Sequence, residues 1–139
     1  INELSSPEQV AFYQYWISIK GDKDLPSRSD FDPMQIPKSL PFLIMEEVFN
    51  DPLRFKIRLI GSKCKTSGNY LGKFTNEILE IKDITEILVK ALDFKKPYFY
   101  FNSVKYSIGN IELFSSLVLP FSQDGENINI LMACQCQIR

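Results

Sequence analysis

The sequence predicts a single α+β domain on three observations. The chain has 139 residues, which is one domain's length. Its apolar residues follow a helical spacing first, then strand-like runs from Phe42, a helical spacing again from Ile84, and strand-like runs to the end. Turn residues separate the strand-like runs, most clearly at Asp124-Gly125. The predicted order is helix, two strands, short helices, one longer helix, three strands.

Each element has its own signal. Ser6-Pro7-Glu8-Gln9 has the layout of a helix start, with Ser as N-cap, Pro in the first helical position and Gln at the third. Val10, Tyr13 and Ile17 form one row and Phe12, Trp16 and Ile19 another, so this helix is apolar around much of its girth and must bury part of it. Gly21 fits the residue just past its end. Pro26, Pro33, Pro37 and Pro41 forbid a long helix in the next stretch, where Asp30 or Asp32 is placed to cap a short turn starting at Pro33. The apolar run 42–49, the turn Asn50-Asp51-Pro52-Leu53 and the alternation of Phe55, Ile57 and Leu59 with Lys56 and Arg58 predict a first hairpin ended by Gly61. One or two short helices are expected between Gly61 and Ile81. Asp83 is the expected cap of a helix carrying Ile84, Ile87, Leu88, Ala91 and Leu92, which ends near Lys96 before Pro97. The last three strands are expected at 98–106, 112–122 and 128–138, with turns at Ile108-Gly109-Asn110 and around Asp124-Gly125.

Composition removes several function classes. Hydrophobic residues are 45% and charged residues 24% of the chain, a globular balance rather than a disordered one. Sixteen basic and 17 acidic residues leave a formal charge of −1, so no basic field draws nucleic acid or anionic lipid. Histidine is absent, which removes His general acid/base chemistry, Ser-His and Cys-His nucleophilic pairs, His metal ligands and His-ligated haem. The three cysteines, Cys64, Cys134 and Cys136, form no C-x-x-C pair; they are read as buried thiols in a reducing compartment rather than a disulfide frame or zinc site. No apolar stretch approaches the roughly 20 residues of a membrane span, and Ile1-Asn2-Glu3-Leu4 lacks a secretory signal's basic start, so a cytoplasmic location is expected. Glu46 and Glu47 are adjacent and on a strand face opposite sides, so they make no acid/base pair. No assembled active site is legible, and the residues favour a binding module over an enzyme.

Three ordered segments carry a family resemblance. Asp30-Phe31-Asp32-Pro33-Met34-Gln35-Ile36-Pro37 is followed by Leu40-Pro41-Phe42-Leu43; Arg54-Phe55-Lys56-Ile57-Arg58-Leu59-Ile60-Gly61 comes next; Leu119-Pro120-Phe121-Ser122-Gln123-Asp124-Gly125 closes the set. In this order they resemble a PAS domain family described mainly from alphaproteobacteria, whose pattern reads D-F-D-P-x-x-I-P, L-P-x-L, R-F-x-x-R-L-x-G and L-P-[LF]-S-x-D-G. The resemblance spans nearly the whole chain and is loosest over 62–97. It implies a five-stranded antiparallel sheet with short helices on one face and an N-terminal flanking helix, here divided as helix 1–21 and PAS-like domain 22–139. It also implies a sensory or regulatory module that binds a small molecule in its core or mediates protein contact, without catalysis. A ligand-free dimerisation or docking scaffold is the alternative. The segment Gly61-Ser62-Lys63-Cys64-Lys65 lacks the pattern of a photoactive flavin domain.

Strand alternation then nominates a pocket, since such sites are apolar with a few placed polar groups. The candidates are Ile57, Leu59, Cys64, Tyr70, Phe74, Leu88, Leu117, Leu119, Met132 and Cys134. They either line a hollow for a small molecule or close-pack against one another. Phe12, Trp16 and Ile19 are the candidate surface for a homodimer through the first helix, or they pack back on the chain's own sheet. A protein signalling partner is implied; nucleic acid, membrane and metal are not. Arg58 is expected in an ion pair with Asp30, Asp32, Glu46 or Glu47.

Overall fold

The computed structural model describes residues 6–64, 69–78, 81–105 and 111–138. Helix α1 covers Pro7–Lys20 and starts as its sequence dictates: Ser6 Oγ accepts from the Gln9 backbone N–H and the Gln9 side chain returns the bond to Ser6. Gly21, at φ 57°, ends it. A run of short 3-10 turns follows. Asp32, not Asp30, caps the one at Pro33–Gln35, its Oδ1 accepting from the Met34 N–H at 3.1 Å. Asp30 instead holds Ser27 and Lys23.

Five strands form one antiparallel sheet: β1 Leu43–Phe49, β2 Arg54–Ile60, β3 Tyr98–Lys105, β4 Ile111–Ser122 and β5 Ile128–Ile138. Their order across the sheet is β2-β1-β5-β4-β3. A helix α2, Lys82–Phe94, connects β2 to β3. The chain enters α2 through Ile81, which closes a tight turn by donating to Ile78 O; Asp83 therefore lies inside the first helical turn and is not the cap. Lys95, at φ 59°, ends the helix. Among the described residues the stretch after β2 holds a 3-10 turn at Thr75–Glu77. The expected turn at Ile108-Gly109-Asn110 lies outside the described residues.

The β4–β5 hairpin is closed by Asp124, whose carboxylate accepts from the Glu126 and Asn127 N–H groups and from Ser122 Oγ. Those bonds hold its carboxyl well below the usual range. Gly125, at φ 86°, makes the reversal possible.

The sheet is covered on both faces. Leu117 and Cys134 belong to one face and Val118 and Ala133 to the other, and all four are buried. That explains why the apolar run 117–121 shows no alternation: a strand buried on both sides has no polar phase. Between Met45 and Glu46 the β1–β2 register shifts, so that Arg58 is an extra residue on β2. Arg58 pairs with Glu47, one of the four expected acids. Where β2 ends, Gly61 N donates to Leu43 O at 2.7 Å and the loop folds onto Pro41. A Cβ on Gly61 would overlap the Pro41 carbonyl group.

Gly61→Ala therefore forces the backbone apart at the β2–β1 junction and should destabilise the domain by about 2–4 kcal/mol. Urea unfolding measures this; a loss below about 0.5 kcal/mol would show that the loop relaxes freely.

Candidate functional site

The two faces of the sheet have different owners. Ser115, Leu117, Leu119 and Phe121 of β4 stand across from Cys136, Cys134, Met132 and Ile130 of β5 on the outer face. Helix α1 lies over these rows. Gln9 Nε2 donates to Ser115 Oγ at 3.1 Å, to Ser115 O at 3.2 Å and to Cys134 O at 3.0 Å. Trp16 Nε1 donates to Pro120 O at 2.9 Å. Phe31 sets its ring edge-on to Phe121, and Tyr15 sets its own against Phe31.

The inner face carries the alternate residues. Its rows are Asn102–Phe114–Gln137, Tyr100–Ser116–Gln135, Tyr98–Val118–Ala133–Ile44 and Pro120–Leu131–Glu46–Ile57. Helix α2 covers this side: Leu88 and Ala91 are buried, and Phe94 packs on Tyr98. Tyr70 and Ile78 join Ile57 in a second apolar cluster, with Ile44, Ile60 and Ile81 at its margin.

Placement of the expected pocket residues follows from this division. Ile57, Tyr70 and Leu88 belong to the inner side. Leu117, Leu119, Met132 and Cys134 do not share an interior with α2; they lie on the outer face beneath α1. Leu59 is paired across the register shift with Met45, which stands in the outer row beside Met132. Alternation identified which residues share a face, but with both faces apolar it could not identify which face meets α2. Phe74 stands at the β2 edge, its ring against Phe49 and under the Arg54 guanidinium at 3.7 Å. Cys64 is half-buried, with Sγ facing Pro41 O and Leu43 O. Phe12 and Trp16 are 0% and 3% exposed, seated in the chain's own core, and Ile19 packs against that core. Of the two fates open to this row, packing on its own sheet is the one observed, which leaves Phe12 and Trp16 no surface for a second chain.

Beyond Cys134 the edge of β5 has no β1 partner among the described residues. A cleft of about 620 Å3 opens there, lined by Phe114, Gln135 and Gln137 of the inner rows and by Ser62, Lys63 and Cys64 of the loop after β2. Cys136 and Ser6 form its outer lip, Ser6 Oγ lying 3.0 Å from Cys136 Sγ. Hydrogen bonding from Cys134 lowers the Cys136 thiol, while the same contact and burial raise Cys134. Burial pushes Cys64 up to about 12. Among the described residues no group of three or more Cys, Asp or Glu is placed to hold a metal ion.

One inner-face residue was not nominated by the sequence. Glu46 is 4% exposed, and its Oε1 is buried with no hydrogen-bond partner. Burial alone raises its carboxyl to about 8. Tyr100 lies close enough to feel that charge; burial raises its phenol, and a hydrogen bond with Ser116 partly offsets the rise. A sequence signal exists: Glu46 is in strand phase with the apolar Ile44 and Val48, where a carboxylate is out of place.

A family model described as PAS domain matches residues 4–133. The chain belongs to the PAS domain family. The match takes in α1 as well as the sheet, and the five-stranded antiparallel sheet with its short helices is the PAS-like α+β fold. PAS domains are sensory and regulatory modules, in general non-catalytic. No curated protein matches the chain. Among the described residues no helix is long and apolar enough to cross a membrane.

The Glu46 carboxyl makes the stability of this PAS domain pH-dependent. Its folded value, about 8, lies above the unfolded value near 4.5. Below the lower value both states are neutral and nothing is lost. Above it unfolding releases a proton, so stability falls until the folded carboxyl also ionises, with a limiting slope of about 1.4 kcal/mol per pH unit. Glu46→Gln should remove that slope, and its advantage over the wild type should grow from pH 5 to pH 8 in chemical denaturation. Parallel profiles would show that the carboxyl is solvated.

Proposed function

We propose that this PAS domain is a sensor: it takes a small molecule against the inner face of the sheet and reports it through altered protein contact, without catalysis. The observation that carries this reading is the half-polar character of that face. Apolar Ile57, Leu131, Ala133 and Val118 run into Tyr100, Ser116, Gln135 and Gln137, and the last two line an open cleft. Ligand sites combine apolar walls with a few placed polar groups in this way. The non-catalytic part of the reading is supported by the absence of histidine from the sequence and by the isolation of Glu46 from any base. Ligand binding would shift packing between α2 and the sheet, and the domain's contacts with a signalling partner would change with it.

The scaffold alternative has its own supporting observation. Phe101, Leu113 and Ile138 are 51%, 52% and 40% exposed on the described part of the sheet's far end. A module that only docks needs such a surface and needs no cleft.

Native mass spectrometry of the purified chain separates the two. The sensor reading expects a small molecule retained by the wild type and lost in Gln135→Trp, whose ring would intrude on the cleft. Leu113→Trp, on the exposed end of β4, should keep it. No molecule on the wild type would remove the sensor and leave the scaffold; a molecule kept equally by both variants would remove the inner-face site and the ligand-free scaffold alike.

A further inference from the structure

We propose that Glu46 anchors a ligand ammonium group on the inner face of the sheet; the inference rests on the sensor reading and gives its ligand a chemical class. Glu46 presents a buried acceptor oxygen that nothing in the described chain fills. Buried polar atoms are ordinarily paired, and a carboxyl left bare in an apolar wall calls for a donor. Its cross-strand neighbours are Leu131 and Ile57, so a lone water would find few of the further partners it needs.

Charge decides the class. The described inner rows carry no lysine or arginine; their acids are Glu46 and, two strands away on β4, Glu112. Tyr100 on β3 and Cys64 on the loop after β2 sense the Glu46 carboxyl, both held neutral by burial, and the buried residues of α2 over this face, Leu88 and Ala91, carry no charge. Tyr98 packs on Tyr100, and Tyr70 packs on Ile57 from the facing loop; neither is basic. In the cleft, Lys63 is exposed and lies over the Phe42 ring, and Glu8 lines the same cleft. An anionic group at Glu46 would therefore meet no countercharge on the inner rows, whereas an ammonium meets a carboxylate. Pairing ionises the carboxyl: the Glu46 proton leaves to solvent as the ammonium arrives, and no other bond changes.

The test uses three probes with one aromatic body: benzylammonium, benzyl alcohol and phenylacetate. Each is titrated into the isotope-labelled full chain and followed by backbone amide shifts. Benzylammonium should move Glu46, Ser116 and Leu131 saturably, and the other two probes should not. Its apparent affinity should rise about tenfold from pH 6 to pH 7 and level off above pH 8, since the ionised fraction of the carboxyl limits it. Calorimetry in two buffers of different ionisation heat should register close to one proton released. Glu46→Gln should weaken binding at least tenfold and abolish the pH dependence, and Glu46→Met should do the same should the Gln variant misfold. Equal binding of the neutral or anionic probe, or a flat pH profile, overturns the ammonium class. If benzylammonium fails while the native spectrum still shows a molecule displaced by Gln135→Trp, the anchor is wrong and the sensor stands. If neither is seen, both are wrong.

Discussion

The fold depends on one buried amide. Gln9 is 0% exposed, and a primary amide removed from water without partners costs several kcal/mol. Its oxygen accepts from the Ser6 N–H and so completes the start of α1. Its nitrogen donates to Ser115 and to Cys134 O and so fastens that start across β4 and β5. One side chain thus both begins the helix and fixes where it lies. With that point set, Phe12 and Trp16 drop onto the outer face, and the Trp16 bond to Pro120 O fixes the third turn's position. The outer face is then closed. Whatever binding surface the sheet keeps must lie on the other side.

That closure ties the two faces together. Ser115 holds Gln9 on the outer face, and Ser116, the next residue, faces inward beside Tyr100. Both are buried in the middle of a strand paired on both sides, so neither can move alone. Within the proposed sensor this is a short route from the ligand face to α1, because a displacement of β4 that accommodates a ligand at Ser116 also strains the Gln9 bonds. Packed interiors respond by switching between arrangements rather than by stretching. The helix is therefore the element whose position should register a change beneath the sheet.

Much of this was legible in the sequence, and the rest was hidden for physical reasons. Local chemistry was readable wherever a residue acts on its own neighbours: the Ser6–Gln9 capping box, an Asp cap before Pro33 (Asp30 or Asp32 by sequence, Asp32 in the fold) and the span 128–138 of β5 all follow from short-range bonds. Asp83 misled because the tight turn ending at Ile81 had already supplied the entry to α2. Which side of the sheet meets α2 was hidden at a different level. Leu117, Leu119, Met132 and Cys134 were correctly grouped, yet the hydrophobic pattern is symmetric across this sheet, since Val118, Leu131 and Ala133 are as apolar as their neighbours. Only the asymmetric docking of α1 breaks that symmetry, and it turns on Gln9, a residue whose polarity reads in sequence as an exposed position. The β1–β2 register shift is likewise invisible in a plain alternation, and it takes Leu59 out of phase with Ile57.

Glu46 is where the local and global patterns disagree. Every other described neighbour in its row, Pro120, Leu131 and Ile57, is apolar, and a leucine at this position would pack there without desolvating a carboxyl. Apolar replacements of buried charged groups often leave a protein as stable or more stable. The carboxyl therefore does not serve the fold, and a departure from local consistency of this kind is expected at functional positions rather than in scaffolding. Glu47, one residue on, makes the contrast: it faces the other way, is partly exposed and is paired with Arg58. The same chemical group is matched where it is structural and left bare where the sheet turns toward the interior.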